Sequence, residues 1–289
     1  MKMMLEEVTA ILRGGKSNDI AAEAERIIRS ASSLKAVEQE GEAGTLRTMV
    51  ERRGAARAMA ERRAKGEPLA YITGYETFMG IELIADKGAL VPRKETEPLG
   101  NEAIKVLRSS ALDAPRVIDM CCGSGNLACA IAHYHPAARV WASDLTDGCI
   151  TVARRNVENL GVSDRVAVVQ GDLFAGLEGC ELEGTIDVIV CGPPFISHHK
   201  LATESAELLE YEPREAFDGG PYGLSIQQRI VKESLPFLRP GGILIFETGL
   251  GQERPAKMLF ERAKAYEDIR LIANDEGEVR VISARKRAE

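Results

Sequence analysis

The sequence predicts an α/β protein: a mostly parallel seven-stranded sheet with crossover helices, preceded by a small helical region. Three observations carry that expectation. From Arg116 onward, short Val- and Ile-rich runs alternate with helical stretches, the pattern of parallel strands joined through helices. The last two runs are separated only by Ala273-Asn274-Asp275-Glu276-Gly277, too short for a crossover helix, so they pair antiparallel. Residues 1–65 have a different texture. They are rich in Ala, Glu and Arg, punctuated by Gly41 and Gly44, and read as a helical bundle.

Along the chain, the candidate strands are 116–121, 139–143, 165–170, 186–191, 241–247, 268–273 and 278–284. Helices are expected over 125–134, 147–160, 224–238 and 253–265. Between Phe78 and Val91 lie short apolar runs broken by Gly80 and Gly88 and stopped by Pro92, which read as a strand pair or an extended linker. The expected division is a helical N-terminal domain over 1–80, a β linker over 81–97 and a sheet domain over 98–289.

Composition narrows the function classes. The 289 residues are 45 % apolar and 28 % charged, with a mean hydropathy of −0.13, which excludes fibrous and wholly disordered chains. No apolar run approaches the roughly 18 residues that span a bilayer, and the first residues lack a secretory core, so a cytoplasmic protein is expected. The net charge of −7 is uneven, with 13 Lys/Arg against 10 Asp/Glu in residues 1–65, and it argues against a surface made for nucleic acid. Cysteines at 121, 122, 129, 149, 180 and 191 form no Cys-x-x-Cys pair; they read as reduced, buried side chains, and no metal site is expected.

The chemistry concentrates at strand ends. Asp119-Met120-Cys121-Cys122-Gly123-Ser124-Gly125 is a strand running into a glycine turn and then a helix, where backbone approaches a ligand near a helix N-terminus. Gly123-x-Gly125-x-x-Ala128 satisfies a dinucleotide pattern, and Asp144 follows at the end of the next strand. Two acids favour a sulfonium nucleoside over a pyrophosphate. Asp119 precedes the turn, where it would repel a pyrophosphate and attract an ammonium. Asp172, with Leu173 after it, follows the third strand, where a carboxylate accepts from an adenine amino group. In this reading Asp144 takes the ribose hydroxyls. The plainer alternative is that each Asp caps the following helix.

The fourth strand ends in Cys191-Gly192-Pro193-Pro194-Phe195. Two prolines set the backbone and Phe195 offers a ring on which a planar group can stack. Methyl transfer demands mainly in-line positioning of the acceptor lone pair, which such a loop supplies.

At this point the chain resembles the release-factor glutamine N5-methyltransferases. The resemblance runs from Gly66 to the C-terminus: Gly66-Glu67-Pro68-Leu69-Ala70-Tyr71-Ile72-Thr73-Gly74, Phe78-Met79-Gly80, Leu90-Val91-Pro92-Arg93-Lys94-Glu95-Thr96-Glu97, Asp119 to Gly125, Asp144, Gly171-Asp172, Pro193-Pro194, Glu212-Pro213, Gly219-Gly220, and Pro240-Gly241-Gly242 leading to Glu247. It implies a helical domain that helps recognise a protein substrate, joined to a Rossmann-like methyltransferase domain that uses S-adenosyl-L-methionine. Asp119, Cys121, Gly123, Gly125, Asp144, Asp172 and Leu173 would hold that cofactor, and Gly192, Pro193, Pro194 and Phe195 would shape the catalytic acceptor site.

The departures bear on the acceptor. The family's loop reads Asn-Pro-Pro-Tyr, whereas this chain has Gly192 and Phe195; Lys94 stands for a proline and Cys121 for the first loop glycine. Losing the Asn hydrogen bond to an amide makes a small-molecule acceptor with a planar nitrogen, or another heteroatom, the expected substrate. Methylation of a release-factor glutamine is the alternative. A nicotinamide-dependent oxidoreductase is disfavoured by Asp119 and the Pro-Pro loop, and a non-catalytic cofactor-binding protein is the third reading. The basic run Arg47, Arg52, Arg53, Arg57, Arg62, Arg63 and Lys65 reads as a solvated helix face in preference to a docking surface. His198 and His199 invite a general-base role against the blander reading of an exposed loop pair.

Overall fold

The computed structural model describes residues 2–17, 19–33, 42–110, 112–203 and 206–288, which cluster into two units, Met1–Tyr75 and Glu76–Glu289. In the first unit, helices α1 (Lys2–Leu12), α2 (Ile20–Ser33), α3 (Glu42–Ala64) and α4 (Leu69–Thr73) enclose an apolar core of Val8, Leu12, Ala24, Ile27, Ile28, Ala31, Ala56 and Ala60. Ala56 and Ala60, four residues apart on one face of α3, allow close helix approach. Gly41 lies outside the described residues, and Gly44 does not interrupt α3 as its composition suggested: a glycine inside a helix costs only about 1 kcal/mol.

The basic run on α3 is largely spent within its own unit. Arg53 pairs with Glu7 at 2.7 Å, Arg57 with Glu61 at 2.9 Å, Arg62 with Glu67 at 2.6 Å and Arg63 with Glu23 at 2.9 Å. The side chain of Arg47 lies outside the described ones. None of the helices among the described residues is long and apolar enough to cross a membrane.

The second unit opens on a hairpin of β1 (Tyr75–Phe78) and β2 (Ile81–Ile84), whose two-residue loop Met79-Gly80 has φ of 49° and 79°. Positive φ at both positions is the type I′ turn, which matches strand twist. A 3₁₀ turn over Lys94–Thr96 leads into α5 (Glu97–Ser109). Then follow β3 (Arg116–Met120), α6 (Asn126–Tyr134), β4 (Arg139–Asp144), α7 (Asp147–Asn159), β5 (Val166–Gln170), β6 (Ile186–Cys191), α8 (His198–Thr203), α9 (Ser225–Glu233), β7 (Leu238–Glu247), α10 (Glu253–Ala263), β8 (Tyr266–Ala273) and β9 (Val279–Lys286). The stretch read as a linker, 81–97, thus contains β2, the 3₁₀ turn and the start of α5.

The seven-stranded sheet has the order β5-β4-β3-β6-β7-β9-β8, parallel except for β9, which runs antiparallel to both neighbours. This is the expected α/β sheet with its terminal hairpin. Every residue of β6 is buried, as a central strand covered on both faces requires. Two apolar layers flank the sheet, one around Leu99, Leu127, Ile131 and Val157, the other around Leu177, Ile230, Phe246 and Phe260. Two strands begin earlier than the sequence suggests, β8 by two residues at Tyr266 and β7 by three. β7 starts at Leu238, not Gly241, because Leu238 is buried opposite Ile186 and a register irregularity absorbs Pro240-Gly241-Gly242.

Candidate active site

The chain winds from β3 outward to β5 and then returns to the other side of β3 with β6, so the strand order reverses between β3 and β6. Open α/β sheets bind ligands in the crevice outside the carboxyl ends of strands at such a reversal. Both loops singled out in the sequence emerge there.

The glycine turn after β3 is rigidly tied. Cys122 N–H donates to the Ser143 carbonyl at 3.0 Å, Gly125 N–H to the Cys122 carbonyl at 2.7 Å, and the buried Asn156 amide to the Ser124 carbonyl at 2.9 Å. Gly123 and Gly125 have φ of 54° and 77°, and a Cβ on Gly123 would find open space, so this backbone faces the crevice. Cys121 also lies in the left-handed region, at φ 58°, where a side chain costs about 1–2 kcal/mol.

The three aspartates are brought to one region but not to one task. Asp144 walls a cavity of ≈ 250 Å³; its Oδ2 accepts from Gly123 N–H at 2.8 Å and its Oδ1 from Leu145 N–H at 2.8 Å. Oδ1 also accepts from Thr146 N–H at 3.4 Å, so it is Oδ2 that keeps a lone pair for a ligand hydroxyl. Asp172 walls the same cavity from an exposed position, where Arg229 bridges both its oxygens at 2.8 and 3.1 Å. Leu173, at φ 51°, turns its carbonyl to the Ser143 hydroxyl at 3.3 Å and also lines this cavity. Asp119 lines neither cavity described here. It is fully buried beneath the turn, its Oδ2 accepting from Ala128 N–H at 2.9 Å and its Oδ1 without a hydrogen-bond partner among the described residues. Burial, reinforced by the charge of Asp144, pushes its carboxyl up to about 8.

A second cavity of ≈ 240 Å³ lies beside the first, walled by Pro92, Arg93, Thr96, Gly192, Pro193, Phe195, Phe217, Glu247 and Arg280. Leu90, Cys121, Gly123, Gly192 and Ala216 line both, so the two spaces meet over the ends of β3 and β6. The two prolines divide between them, Pro193 facing the second cavity and Pro194 the first. The loop is braced from below. Gln252 donates to the Phe195 carbonyl at 2.9 Å, Ile196 N–H donates to the Phe217 carbonyl at 2.9 Å, and Gly219 N–H to the Ile196 carbonyl at 2.9 Å. A Cβ on Gly219 would lie 2.8 Å from Phe195 Cα, which explains the glycine there.

Several residues of this site carry little signal in the sequence. Glu212 is buried, accepts from Val91 N–H at 3.1 Å and pairs with Arg93, fixing the 90–96 segment that walls the second cavity. Thr96 donates to Glu247 Oε2 at 2.8 Å, and Arg280 reaches the same wall from β9. The motif Glu212-Pro213 was visible; its partner was not. His198 turns to Asp218 at 2.8 Å on the surface, and neither it nor His199 lines either cavity.

A crevice of this design, with a glycine turn, acids at successive strand ends and a second chamber at the strand reversal, defines the class: a methyltransferase of the Rossmann-like fold. Residues 103–220 match the family model of the methyltransferase small domain. Solved structures with the same fold include a human methyltransferase 10 domain containing protein (TM-score 0.52, 20 % identity, 73 % of this chain and 89 % of that one) and a methyltransferase from Pyrococcus furiosus (TM-score 0.50, 18 % identity, 73 % and 91 %). Curated relatives include the release factor glutamine methyltransferases of Rhodopirellula baltica (39 % identity, 82 % of this chain and 79 % of that one) and Moorella thermoacetica (35 %, 79 % and 78 %). The chain belongs to the release factor glutamine methyltransferase family and is an adenosylmethionine-dependent methyltransferase.

Proposed function

We propose that this enzyme methylates the side-chain amide nitrogen of a glutamine in a peptide chain release factor. The observation that carries this reading is the meeting of two cavities over Cys121, Gly123 and Gly192, one walled by acids and glycines, the other by an aromatic ring and a proline. The named activity of relatives with 35–39 % identity favours the protein glutamine over the small-molecule acceptor expected from Gly192. Gly192 does not forbid it: the second cavity retains planar walls for an amide and a carboxyl group, Glu247, to meet its N–H.

S-Adenosyl-L-methionine fits the first cavity. Asp144 Oδ2 has a lone pair for a ribose hydroxyl, Asp172 stands where an adenine amino group can donate, Leu173 lines the same wall, and the bare backbone at Gly123 admits close approach. When bound there it supplies an electrophilic methyl group on sulfur. Cys121 and Gly125 shape the turn, and Asp119 acts from beneath it as a brace for the start of α6. Phe195 stacks the acceptor amide, the two prolines hold the loop between the chambers rigid, and Gly192 leaves the passage open.

Incubating the enzyme with labelled adenosylmethionine and a purified release factor, then mapping the label by peptide mass spectrometry, tests the reading. Label on one glutamine supports it. Label appearing only on small molecules of a cell extract restores the small-molecule acceptor.

A further inference from the structure

We propose that Glu247 is a catalytic residue: its carboxylate grips the acceptor amide by accepting an N–H hydrogen bond, and it takes up the proton that the nitrogen releases on methylation. This rests on the amide-acceptor reading given above.

The placement comes from strand register. Glu247 closes β7, next to β6, where Cys191 sits opposite Phe246, so the carboxylate and Gly192 emerge side by side. A Cβ built on Gly192 would find Glu247 Oε2 at 4.0 Å and, its two chain neighbours aside, nothing nearer among the described residues. The missing side chain therefore leaves a gap that reaches a carboxylate. A planar amide entering that gap finds an acceptor for its N–H.

The carboxylate itself is incompletely satisfied. It is only 5 % exposed, and its Oε2 accepts from Thr96 Oγ1 at 2.8 Å, while no hydrogen bond to Oε1 occurs among the described residues. Glu247 borders the second cavity, where an incoming N–H can donate to that second oxygen. The charged groups facing it are Arg280 from β9 and Glu95 from the 3₁₀ turn; Arg93 is turned away to Glu212. Burial, foremost, and Glu95 hold its proton on; Thr96 and Arg280 pull it off, and the outcome is about 7. The group is thus able to accept and surrender a proton near neutrality.

An amide nitrogen is not basic, so its proton must leave as the new bond forms. The nitrogen lone pair makes the N–C bond, the S–C bond breaks with its electrons remaining on sulfur, and one N–H proton passes to Glu247. An amide and a carboxylate thereby become an N-methyl amide and a carboxylic acid.

The test uses the full chain and the variants E247Q and T96V. Single-turnover methylation of a release factor should rise about tenfold per pH unit up to about pH 7 and then level in the wild type. E247Q should lose this limb and slow by roughly 100-fold or more. T96V, lacking the donor that favours the carboxylate, should move the limb to higher pH. Calorimetry with N-acetylglutamine amide at pH 7 gives a readout independent of turnover: binding should release protons from the wild type and none from E247Q. A folded E247Q with wild-type rate and pH profile overturns the role of Glu247 while leaving the acceptor reading intact. A wild type that methylates no glutamine overturns that reading and this proposal with it.

Discussion

The Gly123 amide donates a hydrogen bond to Asp144 Oδ2 at 2.8 Å, so the acid ending β4 closes the glycine turn that follows its neighbour β3. The same carboxylate faces the first cavity. Truncating it removes the clasp and the ligand acceptor together. Hydrogen bonds to a charged group are worth roughly 1.5–3 kcal/mol, so Asp144→Ala should weaken adenosylmethionine binding on the order of 10- to 100-fold by calorimetry. Asp144→Asn keeps an acceptor and should lose less. Equal affinity in all three proteins would remove Asp144 from the binding site.

Glu212 acts at a distance of sequence but not of space. Glu212→Ala leaves the buried Val91 N–H unpaired and frees Arg93, which is itself about a third exposed. Urea unfolding should show a loss of roughly 2–3 kcal/mol. Because the 90–96 segment walls the second cavity, acceptor KM should rise more than cofactor Kd. A stability change below about 0.5 kcal/mol would mean the pair is solvent-screened.

Cys121 holds a left-handed backbone that glycine adopts without strain. Relief of about 1–2 kcal/mol is partly offset by the greater unfolded-state entropy of glycine, about 0.5–1 kcal/mol. Cys121→Gly should therefore stabilise the protein by roughly 0.5 kcal/mol, and Cys121→Val should destabilise it. Denaturant midpoints decide the sign.

Asp119 links stability to pH. Its carboxyl is raised from the ordinary 3.8 to about 8, so the folded chain holds a proton that the unfolded chain has lost across that interval. Its contribution is full below about pH 4 and disappears as pH rises through about 8. Thermal scans of the free protein should show stability falling over this window, less steeply in Asp119→Asn. An identical slope in the variant would show that other groups set the pH dependence.

How far the sequence could be read depended on the range of the interaction. The glycine turn was legible because Gly123 and Gly125 supply positive φ locally, and the strand ends were legible because apolar runs stop at Asp144 and Gly171. The Pro193-Pro194-Phe195 loop was legible by the same local chemistry, but its division between two cavities was not. Asp119 shows the limit most plainly. An acid before the turn suggested a ligand contact, yet its side chain points into the start of α6. Alternation along a strand tells which residues share a face, not what the chain folds over that face.

Chain order and local residue chemistry by themselves determined the alternating strands and helices, the antiparallel ending and the cluster of ligand-bearing loops at one sheet edge. Only the tertiary structure decided that Glu212 secures Val91, that Thr96 and Arg280 flank Glu247, and that Gly192 opens onto that carboxylate. The physical reason is that hydrogen bonds and burial act through space: a buried carboxylate acquires its partners and its protonation from segments up to 151 residues away, and no spacing along the chain records them.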